Sequence, residues 1–325
     1  MVLDYSFYAT DVDHPEVAPL PNWTFMVAAI FIFLAYTLDG IDGKQARKTG
    51  TSGPLGELFD HGLDSYSAGF IPIAMYSIFG RDNPYSMDVY RFFFMMWNIV
   101  TNFYTSHFEK YNTGVLFLPW AYDFSMWGTI IVFAMTGIFG PELWQFKLDN
   151  GIKTSTVFEL LLYGSAIVSN VPVVTYNIYK SYRDKTGYMR PLSEAIRPLI
   201  AFFALFLILY TWITISPSRI LERDPRVIYL ILGTIFSNIS CRLIVAQMSN
   251  TRCEALNWLF VPLILVIQLS LLIKIAVLEL LLAYILFIFV TAAHIHYGTC
   301  LVRQMCRHFN RNCFTIKKNA SVEKD

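Results

Sequence analysis

Long apolar runs separated by short polar stretches recur along the chain from Trp23 onward, and that rhythm predicts helices that cross a lipid bilayer. The expected spans cover 23–38, 66–79, 89–106, 125–139, 157–178, 195–215, 227–245, 258–273 and 277–301. In lipid, every backbone N–H and C=O has to be satisfied within the segment, so the predicted class is all-α: a polytopic membrane protein built as a bundle of about nine transmembrane helices. Several runs fall short of the ~20 residues that cross a bilayer. The count therefore carries a margin of one, chiefly where Ile273, Lys274 and Ile275 separate the last two runs.

Composition agrees. Of 325 residues, 55% are hydrophobic and 16% aromatic, and the mean hydropathy is +0.46, above the range of an ordinary soluble domain. The formal net charge of +1 leaves no excess of Lys and Arg for a nucleic-acid footprint, so no nucleic acid is expected as a partner. The opening "MVLDYSFYATDVDHPEVAPL" lacks the basic flank and apolar core of a signal peptide, and no removed segment is expected. The chain reads as a polar N-terminal segment (1–22), one membrane domain (23–302) and a basic tail (303–325) whose end, "KKNASVEKD", is expected to be mobile. Lys44, Arg47, Lys48, Lys110, Lys180, Arg183, Lys185, Arg190, Arg252 and the tail cluster on one side of the predicted bundle, which places that side in the cytosol. Cys241, Cys253, Cys300, Cys306 and Cys313 read as free thiols.

The stretch "TLDGIDGKQARKTGTSGPLGELFDHGLDS" changes the picture, because it sets four aspartates and a glutamate at the mouth of the first two spans. Asp39 and Asp42 are three apart and Asp60 and Asp64 four apart, so each pair shares a helix face. Four converging carboxylates repel one another unless they share a hard divalent cation, with Mg²⁺ the first expectation and Mn²⁺ the second. The plainer alternative is that these acids cap helices and pair with Lys44, Arg47 and Lys48. Between them, Gly40, Gly43, Gly50, Gly53 and Gly56 permit close backbone approach, and Arg47 offers a planar fork for phosphate oxygens. Charge and geometry together point to a nucleotide diphosphate bridged by metal. Glu57, Asp60, His61 and Asp64 follow an i, i+3, i+4, i+7 pattern along one stripe, which makes His61 a candidate general base with Glu57 orienting it or replacing it.

Asp39, Asp42, Gly43, Ala46, Arg47, Gly56, Asp60 and Asp64 fill every fixed position of the signature D-x2-D-G-x2-A-R-x8-G-x3-D-x3-D, and on them the chain resembles the CDP-alcohol phosphotransferase family. The resemblance implies that Asp39, Asp42, Asp60 and Asp64 hold two metal ions, Mg²⁺ or Mn²⁺. It implies that Gly43, Ala46, Arg47 and Gly56 line the CDP-alcohol pocket and that His61 or Glu57 is the base. "TLDGIDG" and "HGLDS" are similar to the ethanolamine-using branch, whereas the choline branch typically reads "SLDAIDG" and "HGCDS". That branch implies CDP-ethanolamine and diacylglycerol as substrates, membrane lipid as surroundings, endoplasmic reticulum or Golgi as location, and allows a homodimer. Family members usually carry an interfacial helix and one more span before the signature, about ten spans in all, and this chain is expected to begin after them.

Other readings address the same residues. A cation transporter accounts for the acids but not for the glycines and Arg47, and a non-catalytic paralogue that binds partners accounts for an absent first span. His107, Glu109 and Lys110 are either a third contributor to the site or an ordinary helix end with a snorkelling lysine. His294 and His296, two apart, cannot form a metal pair on one helix face and are expected to anchor or hydrogen-bond within the bundle. Arg197 and Arg242 are expected to snorkel.

Overall fold

The computed structural model describes residues 20–80 and 84–315, so the start of the polar segment and the "KKNASVEKD" tail lie outside the described residues. Among the described residues the secondary structure is helical apart from one isolated antiparallel bridge between Lys147 and Lys153. In chain order the helices are α1 (Asn22–Lys48), α2 (Pro54–Phe79), α3 (Val89–Thr113), α4 (Ala121–Phe139), α5 (Thr154–Ser165), α6 (Val171–Asp184), α7 (Leu192–Ala195), α8 (Arg197–Ile215), α9 (Ile220–Arg223), α10 (Pro225–Met248), α11 (Phe260–Ile273) and α12 (Ala276–His308). A π-helical turn, Ala166–Asn170, fuses α5 to α6 into one rod ahead of Pro172, whose missing N–H breaks the regular ladder.

Seven of the nine expected spans lie inside longer rods, while 195–215 and 258–273 each begin two residues before the helix that holds them. α1 continues through Lys48 and α2 begins at Pro54, well before its apolar run at 66, because backbone hydrogen bonding continues through polar turns that a hydropathy pattern cannot see. Among the described residues, six rods are long and apolar enough to cross a membrane by length and composition alone: α1, α4, α5–α6, α8, α10 and α12. α11 is apolar but short, and α2 and α3 fall outside that set, carrying the polar residues described below.

α10 is the axis of the bundle, buried along nearly its whole length, with α2, α3, α8 and α12 packed around it. Its crossing with α2 is close: a Cβ on Gly69 would sit 2.8 Å from the Cα of Gly233. Trp212, Tyr104, Tyr229, Phe92, Phe202 and Phe236 fill the space between α3, α8 and α10. α1 packs instead along α4, where Gly137 meets the backbone of Met26. This pair joins the rest through a second apolar cluster, formed by Phe25 and Ala29 of α1, Met75, Ile78 and Phe79 of α2, and Phe133 of α4. Those residues belong to the end of the bundle remote from the signature, so α1 and α2 are tied there.

Candidate active site

The signature loop brings the last turns of α1 against the first turns of α2. Gly50, at φ 66°, takes the left-handed conformation that ends α1, and the amide of Thr51 donates back to the carbonyl of Ala46 at 2.9 Å. Pro54 then occupies the first turn of α2, where its missing N–H costs nothing. Across this turn, carboxylate oxygens of Asp39, Asp42 and Asp60 all lie within 4.8 Å of one another. Asp42 is exposed, while Asp39 and Asp60 are half-buried. Three carboxylates at such range repel strongly, and an all-oxygen donor set fits a hard divalent cation. Asp64 lies one turn deeper on α2 and outside this trio. From α4, the Tyr122 hydroxyl donates to Asp39 at 3.5 Å, and Asp123 accepts from Tyr36 of α1 at 2.6 Å.

Beside the acids, Arg47 stands one turn after Gly43 on α1, and its guanidinium comes within 3.5 Å of the point where a Cβ on Gly43 would sit. Gly56, in the first turn of α2, has nothing within 4 Å of its own Cβ position. A cationic fork and an open backbone surface thus flank the carboxylates, with Ala46 small enough to leave the same face of α1 clear.

α3 closes the other side. His61 places Nε2 3.4 Å from Asp60 Oδ2, and its ring meets His107 of α3 in an edge-on contact with centroids 5.0 Å apart. One turn along α3, the Lys110 ammonium donates to Glu57 Oε1, so Glu57 is engaged in an ion pair with α3 while His61 faces Asp60 on its own helix. Two residues three apart on α3 therefore face two residues four apart on α2. Of the two readings of Lys110, a contributor to the site or a snorkelling helix end, this pair goes with the first, because it joins Lys110 to a carboxylate beside the site. Glu109 points elsewhere, accepting from Asn177 of α6 at 2.9 Å with its second oxygen buried and unpartnered.

His294 hydrogen-bonds within the bundle, as expected. His294 contacts Ser237 and Asn238 at 3.3 and 3.4 Å and stacks on Tyr66, and His296 meets Cys300 at 3.6 Å. Arg242 does not snorkel: it pairs with Glu254, donates to Asn238 at 3.1 Å and lies 4.7 Å from the centre of the Tyr297 ring. Arg197 donates to the carbonyl of Cys253 at 2.6 Å. All five cysteines are free thiols. Tyr122 and Gln247 are the residues near the site that the sequence pattern gave no means of finding, since each reaches it from a distant helix.

Comparison with known proteins adds independent weight. The family model described as CDP-alcohol phosphatidyltransferase matches residues 15–237. Ethanolaminephosphotransferase 1 of Homo sapiens is 43% identical over 315 residues, covering 97% of this chain and 78% of its own. The Mus musculus protein of the same name is 43% identical over 317 residues with the same coverage. A choline/ethanolaminephosphotransferase 1 from Arabidopsis thaliana is 28% identical over 341 residues, covering 96% of this chain and 82% of its own. With the signature complete, its acids converged at one mouth and a match over more than half its length, the chain belongs to the CDP-alcohol phosphatidyltransferase family.

Proposed function

We propose that this protein transfers phosphoethanolamine from CDP-ethanolamine to diacylglycerol, giving phosphatidylethanolamine and CMP. The observation that carries this reading is the convergence of Asp39, Asp42 and Asp60 directly beside His61, with Arg47 and an open glycine surface next to them. Asp39, Asp42 and Asp60, with Asp64 on the next turn, would hold Mg²⁺ or Mn²⁺, in line with the divalent metal used by the family. Bound there, the cation neutralises the diphosphate and stabilises charge on the leaving oxygen. Arg47 supplies paired hydrogen bonds to phosphate oxygens, and Gly43, Ala46 and Gly56 let the nucleotide approach the backbone.

His61 is the general base. Its Nε2 faces Asp60, which leaves Nδ1 as the ring nitrogen that accepts the proton of the diacylglycerol hydroxyl. The freed oxygen attacks the β-phosphorus, and the bond to the CMP phosphate breaks. Glu57, held by Lys110, supports the face and does not take the proton. The excess of Lys and Arg on that side supports a mouth that faces the cytosol, and the proposed location is endoplasmic reticulum or Golgi membranes. The relative named for both choline and ethanolamine favours one second reading, a broader head-group range.

The test is turnover by purified protein in liposomes containing diacylglycerol, supplied with CDP-ethanolamine or CDP-choline, with and without divalent cation. Metal-dependent product from CDP-ethanolamine in clear excess over CDP-choline is the expected result. Equal use of both donors would establish the broader range, and no turnover with either would overturn the enzyme reading.

A further inference from the structure

His107 has no part in the chemistry set out above, yet its placement is unusual for an α3 residue. Its side chain is 2% exposed, between α2, α3 and α10, so it reaches neither solvent nor a bound nucleotide. Three contacts fix its ring. Phe103, one turn earlier on α3, lies 4.8 Å away between centroids; Gln247 of α10 brings its amide nitrogen 3.3 Å from Nδ1; and the remaining side meets the His61 ring at 5.0 Å and 73°. The contact with Gln247 survives either orientation of the amide, with the histidine tautomer changing to match. Burying an imidazole and a carboxamide inside an apolar bundle is unfavourable unless they bond to each other, so the pair is held together as a unit. α10 is the most rigidly buried helix of the fold, which makes Gln247 a fixed anchor rather than a mobile one.

From this arrangement we infer that His107 is a positioning residue for His61: anchored on α10 through Gln247, its ring forms the wall that sets the rotamer of the base. His61 itself sits on α2 with Nε2 toward Asp60. The His107 ring against it limits its rotation and keeps Nδ1 turned toward the acceptor hydroxyl. Lys110 does the same for Glu57 one turn further on, so α3 acts as a template for the working face of α2.

The inference rests on His61 as base, and the experiment separates the two. His107→Ala is measured in the wild-type and in the His61→Ala background, using the full chain in diacylglycerol liposomes with CDP-ethanolamine. In the wild-type background kcat should fall about 10- to 100-fold, the usual penalty for slight misplacement of a reacting group, with KM for CDP-ethanolamine unchanged. His107→Phe, which keeps a ring beside His61, should recover most of the loss. In the His61→Ala background, His107→Ala should change the residual kcat less than about twofold, because a wall has nothing left to position. A further loss as large as in wild type, or a normal kcat for His107→Ala, would overturn the inference. Should His61→Ala itself keep normal turnover, the base assignment fails instead. If His107→Ala does not fold, Gln247→Leu frees Nδ1 without emptying the site; it should lower kcat in wild type and not in His61→Ala, and the opposite pattern would overturn the inference.

Discussion

Asp60 stands at the join of two proposed functions, one carboxylate among the converging acids and 3.4 Å from the ring of His61, the proposed base. Asp60→Asn keeps the volume and removes the charge, so the bundle should stay folded while turnover is abolished and metal-dependent CDP-ethanolamine binding weakens; calorimetric titration and the liposome assay would read both. Full activity would rule out the metal role. For the base, His61→Ala should retain nucleotide binding and lose transfer by roughly 10²- to 10⁴-fold, the ordinary size of general-base catalysis. Glu57→Gln should be milder because Lys110 already holds that carboxylate, and the reverse order of severity would make Glu57 the base. The acids, glycines and Arg47 were legible in the sequence because they lie within one local stretch. Tyr122 and Gln247 were not legible as parts of the site: Tyr122 meets Asp39 83 positions away and Gln247 meets His107 140 positions away, and only the packing of α1, α3, α4 and α10 brings them in.

At the scale of helices, the apolar runs located every rod but missed where the rods end. α1 and α2 extend beyond their apolar parts as polar turns, and it is those turns that carry the chemistry. The π-turn at Ala166–Asn170 left no mark in the hydropathy either, since it depends on Pro172 and on Asn170 donating to Asn102 of α3 at 2.6 Å. The close backbone contact of Gly69 on Gly233 sets the depth at which α2 lies against α10 and so the height of Asp60 and His61 at the mouth. Gly69→Val would drive its Cβ to 2.8 Å from the Gly233 backbone, with no flexible side chain there to yield. It should destabilise the protein by about 1–3 kcal/mol, the range for overpacked cores. A lowered midpoint of thermal unfolding in detergent would register this, together with reduced turnover; an unchanged midpoint would show that the two helices can part without cost.

For the molecule as a whole, the division that matters is between the α1–α4 pair and the core around α10, joined by the aromatic and aliphatic cluster at the far end. Asp39 and Asp42 ride on the pair, and Asp60 rides on the core. A cation shared among them therefore bridges two bodies, and binding to the folded state alone should stabilise it. Mg²⁺ should raise the unfolding temperature of the wild type and leave that of Asp60→Asn nearly unchanged; equal shifts in both would place the cation elsewhere. The distant anchoring also gives the acids a mechanical meaning. A cation and diphosphate held among Asp39, Asp42 and Asp60 would draw the pair and the core together at the mouth with the far cluster as fulcrum, so the hold on substrate would depend on how stiffly Phe25, Phe79 and Phe133 pack at the opposite end of the bundle.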